Sequence, residues 1–235
     1  MHGFIGEFFG TAILIIFGTG SCAAVNLKKT YATGADWTYI SLSWGMAVTM
    51  GVYVAGMLGS DGHLNPAVTI PYALFGLFSW HNVLPYLLGQ FLGAFVGAVL
   101  VMIQFGAHFK ATKDEASGNT VGIFATKPAI NSPLFNFFSE VIATFAFVFT
   151  LLNLGNFTTG LKPFIVGMLI FVVGTGLGST TGFAINPARD WAPRFAYTIM
   201  PVPNKGSAHW SYAWVPMCGP LLGGIIATAI EVAVK

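Results

Sequence analysis

Charge is scarce in this sequence. Lys and Arg number 10 and Asp and Glu 8 in 235 residues, so 8% of the chain is charged, against about 25% in a soluble globular domain. That shortage excludes an ordinary water-facing surface. A net charge of +2, with no block of Lys or Arg, gives no reason to expect nucleic acid or an acidic soluble partner. Cysteine is scarce too: Cys22 and Cys218 are too few for a disulfide framework and have no His or Cys at metal-ligand spacing, so both read as packing residues. His63, His81, His108 and His209 are scattered and form no ligand set. No phosphate-cradling Gly loop ending in Lys is present, nor a nucleophile beside an obvious base. The sequence therefore assigns no catalytic residue, no metal and no cofactor.

What remains is apolar. Hydrophobic residues make up 55% of the chain, and six stretches read as long and apolar enough to span a hydrocarbon core, which takes about 20 residues of helix. They run 3–25, 38–58, 83–105, 136–155, 163–177 and 212–234. The first has Glu7 inside it, follows no basic segment and precedes no small-residue cleavage site, so it reads as a retained span.

The chain repeats one pattern. A span holding a Glu (Glu7 in GEFFGT, Glu140 in SEVIAT) is followed by a second span, a Gly-rich stretch, then Asn-Pro-Ala and about ten helix-compatible residues. Asn65-Pro66-Ala67 recurs as Asn186-Pro187-Ala188, 121 residues on. The repeats cover about 1–105 and 136–235 of one channel domain, with 106–135 expected as a connecting loop. Three spans per half make the copies inverted, an arrangement that builds pathways at the repeat interface. Segments 66–75 and 187–196 are too short to cross, ten residues reaching about 15 Å. Two end to end match the bilayer core of about 30 Å. The fold class expected is an all-α membrane protein with six transmembrane helices and two re-entrant half-helices.

Each motif pairs an N-cap Asn with a proline at the first helical position, where its missing N–H costs nothing. Half-helices entering from opposite faces would meet N-terminus to N-terminus, each end carrying about half a positive charge, and so repel cations at the bilayer centre. The Asn amide N–H groups are expected to be free to orient a hydroxyl. Gly62, His63 and Leu64, and Gly182, Phe183, Ala184 and Ile185, precede the motifs and are expected to be non-helical, their carbonyls lining a wet pore. Glu7 and Glu140 are expected to support these loops by accepting backbone N–H bonds. Arg189 has Val68 as its counterpart in the first repeat, an asymmetry expected of a filter at one mouth. Gly89, Gly93 and Gly97, with Gly219 and Gly223, are spaced for close helix packing.

Through GEFFGT, SDGHLNPAVTI, GQFLGAF, SEVIATFAF and TTGFAINPARDWAPR the chain resembles the major intrinsic protein family, in its glycerol-facilitator branch, over nearly its whole length. The resemblance implies a mouth filter of Trp44, Gly174, Phe183 and Arg189, with Trp44 standing 21 residues before Asn65. It also implies branch-specific positions Phe105, Asp190, Arg194, Pro216 and Met217, the last in place of a more usual Leu. It implies a homotetramer in the cell membrane with cytoplasmic termini, although Lys28, Lys29, Lys110, Lys113, Lys127 and Lys205 would then lie outside, against the usual bias.

The function expected is a passive channel for glycerol, water and similar small uncharged solutes such as urea, excluding ions and protons. Export of protonated lactic acid is an alternative on the same scaffold. A coupled transporter also uses inverted repeats, but it would put titratable groups where this chain has paired Asn residues.

Overall fold

The structure, a computed structural model, describes residues 2–112, 120–203 and 205–235. Ten helices are found among them: α1 (His2–Asn26), α2 (Trp37–Met57), α3 (Pro66–Leu74), α4 (Trp80–Gln104), α5 (Gly106–Ala111), α6 (Val121–Phe124), α7 (Pro133–Leu152), α8 (Lys162–Gly176), α9 (Pro187–Ile199) and α10 (Trp214–Val234). No strand occurs among the described residues.

Helices α1, α2, α4, α7 and α10 are long and apolar enough to cross a membrane. The fifth of the six expected spans falls short of that length: with 15 residues, α8 reaches only about 22 Å. Turn hydrogen bonds from Leu177 N to Val173 O, Gly178 N to Gly174 O and Gly182 N to Gly178 O continue it toward the second motif.

The two halves pack alike. Helix α1 lies on α2 and α4, α7 on α8 and α10, and α2 meets α8 between them. Each short helix crosses to the other half, α3 onto α10 and α9 onto α4. Small residues make these approaches. A Cβ on Gly89 would lie 2.9 Å from Glu7 Cβ, and one on Gly219 would lie 2.8 Å from Glu140 Cβ. Gly93 and Gly223, one turn further, sit directly against the backbone carbonyls of Phe8 and Val141. In lipid, where tails are as apolar as side chains, such close backbone contact supplies the packing energy that water would otherwise drive.

Three expectations need correction. Segment 106–135 is more than a loop, since α5, α6 and α7's first residues fall within it. Phe109, Val121, Ile123 and Phe124 are buried there, so an apolar face decided its structure despite its polar neighbours. Lys113, Asp114 and Glu115 lie outside the described residues. The second short helix passes 196 and ends at Ile199, because Pro193 falls within its second turn without breaking it. The first ends at Leu74, one residue early.

Candidate functional site

Each Asn-Pro-Ala motif follows a loop that holds side-chain-bearing residues in left-handed backbone. Leu64 has φ of +50°, Phe183 +38° and Ile185 +42°, beside Gly62 at +69° and Gly182 at +87°. For residues with a Cβ this costs about 1–2 kcal/mol each, so the surroundings must hold them. The two buried glutamates do so. Glu7 Oε1 accepts the Ser60 hydroxyl (2.5 Å) and the His63 N–H (2.9 Å), while its Oε2 accepts the Leu64 N–H and Gln90 Nε2, both at 2.7 Å. In the second half, Glu140 Oε1 accepts the Thr181 hydroxyl (2.7 Å) and the Ala184 N–H (3.0 Å), and its Oε2 accepts the Ile185 N–H at 2.9 Å. Both side chains are 0% exposed, and hydrogen bonds to a carboxylate in so dry a place are among the stronger ones.

Beyond the loops the Asn residues cap their helices and tie the halves together. Asn65 Oδ1 accepts from Ala67 N, and Asn186 Oδ1 accepts from Ala188 N and Arg189 N, the N-cap bonds that Pro66 and Pro187 leave room for. Asn65 Nδ2 then donates to Ile185 O at 2.8 Å, and Asn186 Nδ2 donates to Leu64 O at 2.7 Å. The N-termini of α3 and α9 are thereby joined, each bringing its partial positive charge to one place. This corrects two expectations. One N–H of each amide is committed across the repeat and only the other is left for a solute, because the two loops approach closely enough to bond. For the same reason the carbonyls of Leu64 and Ile185 are engaged. Those of Gly62, His63, Gly182, Phe183 and Ala184 accept no hydrogen bond from the described residues.

A cavity of about 500 Å³ runs along these loops. Asn65 and Asn186 line it, as do Gly62, His63, Leu64, Phe183, Ala184 and Ile185. Much of the remaining wall is apolar, with Leu14, Val48, Val52, Val68, Phe147, Val166 and Ile170. A passage with acceptors along one edge and hydrocarbon along others suits a molecule built the same way. Gly182, Pro66, Ala67, Pro187 and Ala188 are not among the residues that line it.

Trp44, Phe183 and Arg189 converge on the cavity. The Arg189 guanidinium lies 3.8 Å from the centroid of the Trp44 ring, a cation–π distance. Arg189 is 6% exposed and its Nη1 donates to Phe124 O at 3.1 Å. The Trp44 indole N–H donates to Cys22 Sγ at 3.4 Å, so Cys22 is an acceptor as well as a packing group. Gly174 is set back from the cavity: a Cβ there would lie 3.0 Å from Phe183 Cζ, so its bareness makes room for that ring.

The other positions singled out by resemblance stand away from the cavity. Asp190 and Arg194 form a fully buried ion pair at 2.8 Å. Asp190 Oδ2 accepts the Thr126 N–H (2.6 Å) and hydroxyl (2.7 Å), and Arg194 donates to the carbonyls of Thr126 (2.8 Å) and Ala208 (2.6 Å). This pair clamps the segment after α6 onto α9, which presents the Phe124 carbonyl to Arg189. Phe105 caps the end of α4, while Pro216 and Met217 lie in the first turn of α10.

Several contributors went unassigned in the sequence. Gln90 bridges Glu7 and the Thr69 hydroxyl (2.9 Å), and Thr69 meets His63 Nδ1 at 3.1 Å. Only the GQFLGAF resemblance touched Gln90. Phe124 and Thr126 carried no motif at all.

The chain matches the model of the major intrinsic protein family over residues 1–230. It is 69% identical to "Glycerol uptake facilitator protein 2" of Lactiplantibacillus plantarum, covering 100% of both chains. It is 38% identical to the "D/L-lactic acid transporter" of the same organism, covering 97% of this chain and 95% of that one. The X-ray structure of the aquaglyceroporin from Plasmodium falciparum superposes with a TM-score of 0.85 at 29% identity, over 99% of this chain and 96% of that one.

Proposed function

Because this chain belongs to the major intrinsic protein family, we propose that it is an integral membrane channel through which glycerol, water and similar small uncharged solutes move passively, with ions and protons held back. The observation that carries this reading is the junction of Asn65 and Asn186 on one cavity at the N-termini of α3 and α9. A cation there would meet two positive dipole ends without replacement for its water shell. A polyol instead offers its oxygens to the remaining amide N–H groups and its hydroxyls to the free loop carbonyls.

Trp44, Phe183 and Arg189 serve as the selectivity filter, with Gly174 giving Phe183 its space. The rings face the carbon edge of the solute while Arg189 donates to its hydroxyls. Glu7 and Glu140 support the loops, and Asp190 and Arg194 hold the Arg189 surroundings. The halves sit inverted in one domain, four copies assemble in the cell membrane, and both termini are cytoplasmic. Protonated lactic acid, similar to glycerol in size and with one polar edge, is a second solute; the 38% identity to a lactic acid transporter favours testing it.

Reconstituted vesicles test the reading. Under a glycerol gradient they should swell rapidly, without saturation, without current and without dependence on a proton gradient. Arg189→Val should change the ratio of glycerol to water and urea permeability by about tenfold, as loss of a charge-assisted hydrogen bond would, while inserting normally. Unchanged ratios would defeat the filter assignment, and uptake that tracks a proton gradient would make the protein a coupled transporter.

A further inference from the structure

Phe183 lines the cavity from a backbone that does not favour it, with φ of +38°. Its ring rests on bare backbone at the end of α8 and in the turn just after it, since a Cβ on Gly174 would lie 3.0 Å from its Cζ and one on Gly178 would overlap its ring. A glycine floor leaves such a ring free to slide, so something at its side must fix it. Trp37 occupies that place. Its ring meets Phe183 edge to face, with centroids 5.7 Å apart and planes at 81°, and its indole N–H donates to Gly174 O at 2.8 Å. The aromatic contact and the hydrogen bond therefore anchor Trp37 to both the ring and the floor beneath it.

The placement of Trp37 is itself rigid. It opens α2 immediately after the N-cap Asp36, whose carboxylate accepts from Tyr39 N at 3.0 Å. One and two turns on, α2 presents Ser41 and Trp44, residues that share a helix face with Trp37. The Ser41 side chain abuts Gly174, and Trp44 lines the cavity under Arg189. A single face of α2 thus holds both walls of the constriction: Trp44 directly, and Phe183 through Trp37.

We infer that Trp37, which does not line the cavity, is a positioning residue that sets how far Phe183 projects toward Trp44 and Arg189, and hence the largest solute the channel admits. This rests on the filter reading proposed above. Gly174 O also accepts from Gly178 N at 3.2 Å, so removing the indole N–H leaves that carbonyl bonded and α8 intact. Phe183 would then relax toward the vacated side and widen the passage.

The test is stopped-flow swelling of vesicles with polyols of three, four and five carbons. Trp37→Phe should raise the permeability of the four- and five-carbon polyols relative to the three-carbon one by about fivefold, the factor that corresponds to one ordinary net hydrogen bond, with insertion unchanged. Trp37→Tyr, which also removes the indole N–H, gives the same reading if the first variant is not recovered. An unchanged size ratio, or a parallel fall for every solute, overturns the inference. Phe183→Ala and Trp44→Ala are measured beside it. If neither moves the size ratio, the filter assignment itself fails; if they move it and the Trp37 variants do not, only the positioning role is lost.

Discussion

Two carboxylates hold the centre of this molecule in shape. Glu7 and Glu140 accept the N–H groups of Leu64 and Ile185, both left-handed and both one residue before an Asn. A Glu140→Gln exchange keeps the size of the side chain but turns one acceptor into a donor. At least one of the Thr181, Ala184 and Ile185 donors then loses its partner, an unsatisfied buried group costing about 1–3 kcal/mol. The expected outcome is a lower melting temperature in detergent and reduced glycerol permeability, and a variant that melts and conducts as the parent does would refute the support role. The backbone bonds that Glu7 and Glu140 accept were readable in the sequence, because a carboxylate repeated at matching places in two apolar spans must find donors. Gln90 was not, since an amide in one helix that bonds both Glu7 and Thr69 depends on which faces of α1, α3 and α4 meet.

At the scale of helices, close packing rests on the absence of side chains at a few positions. A Cβ on Gly223 would sit against the Val141 carbonyl, whereas one on Gly20 would meet nothing within 4 Å. Gly223→Ala must therefore push α10 off α7, an overpacking cost of about 1–3 kcal/mol, while Gly20→Ala leaves the fold alone. Thermal melting of both variants, side by side, checks this; equal melting would show that α7 and α10 have slack. Four-residue Gly spacing and the Asn-Pro-Ala helix starts were legible because they are local signals. The short helices α5 and α6 were not. Six and four residues are too few to show a hydrophobic period, and their burial depends on neighbours such as Tyr197, which lies 5.8 Å from Phe124 between ring centroids.

For the whole molecule, the family fixes an all-helical channel architecture, and the remaining topological proposal concerns orientation. A single cysteine placed at Lys28, in a chain otherwise free of cysteine, should react with a membrane-impermeant thiol reagent from outside intact cells. One placed at Lys235 should react only after permeabilisation. The reverse pattern would turn the chain over in the membrane and uphold the Lys bias instead. The crossed Asn bonds have a temporal consequence as well. Asn186 is made 121 residues after Asn65, so the ribosome delivers the first loop long before the oxygen and the amide that complete it exist. Until then the Leu64 carbonyl lacks the Asn186 amide it accepts from, and the Asn65 amide lacks the Ile185 carbonyl it donates to. The junction at the centre is thus closed only once both halves exist, and a chain cut short before Ile185 has no partner with which to form it.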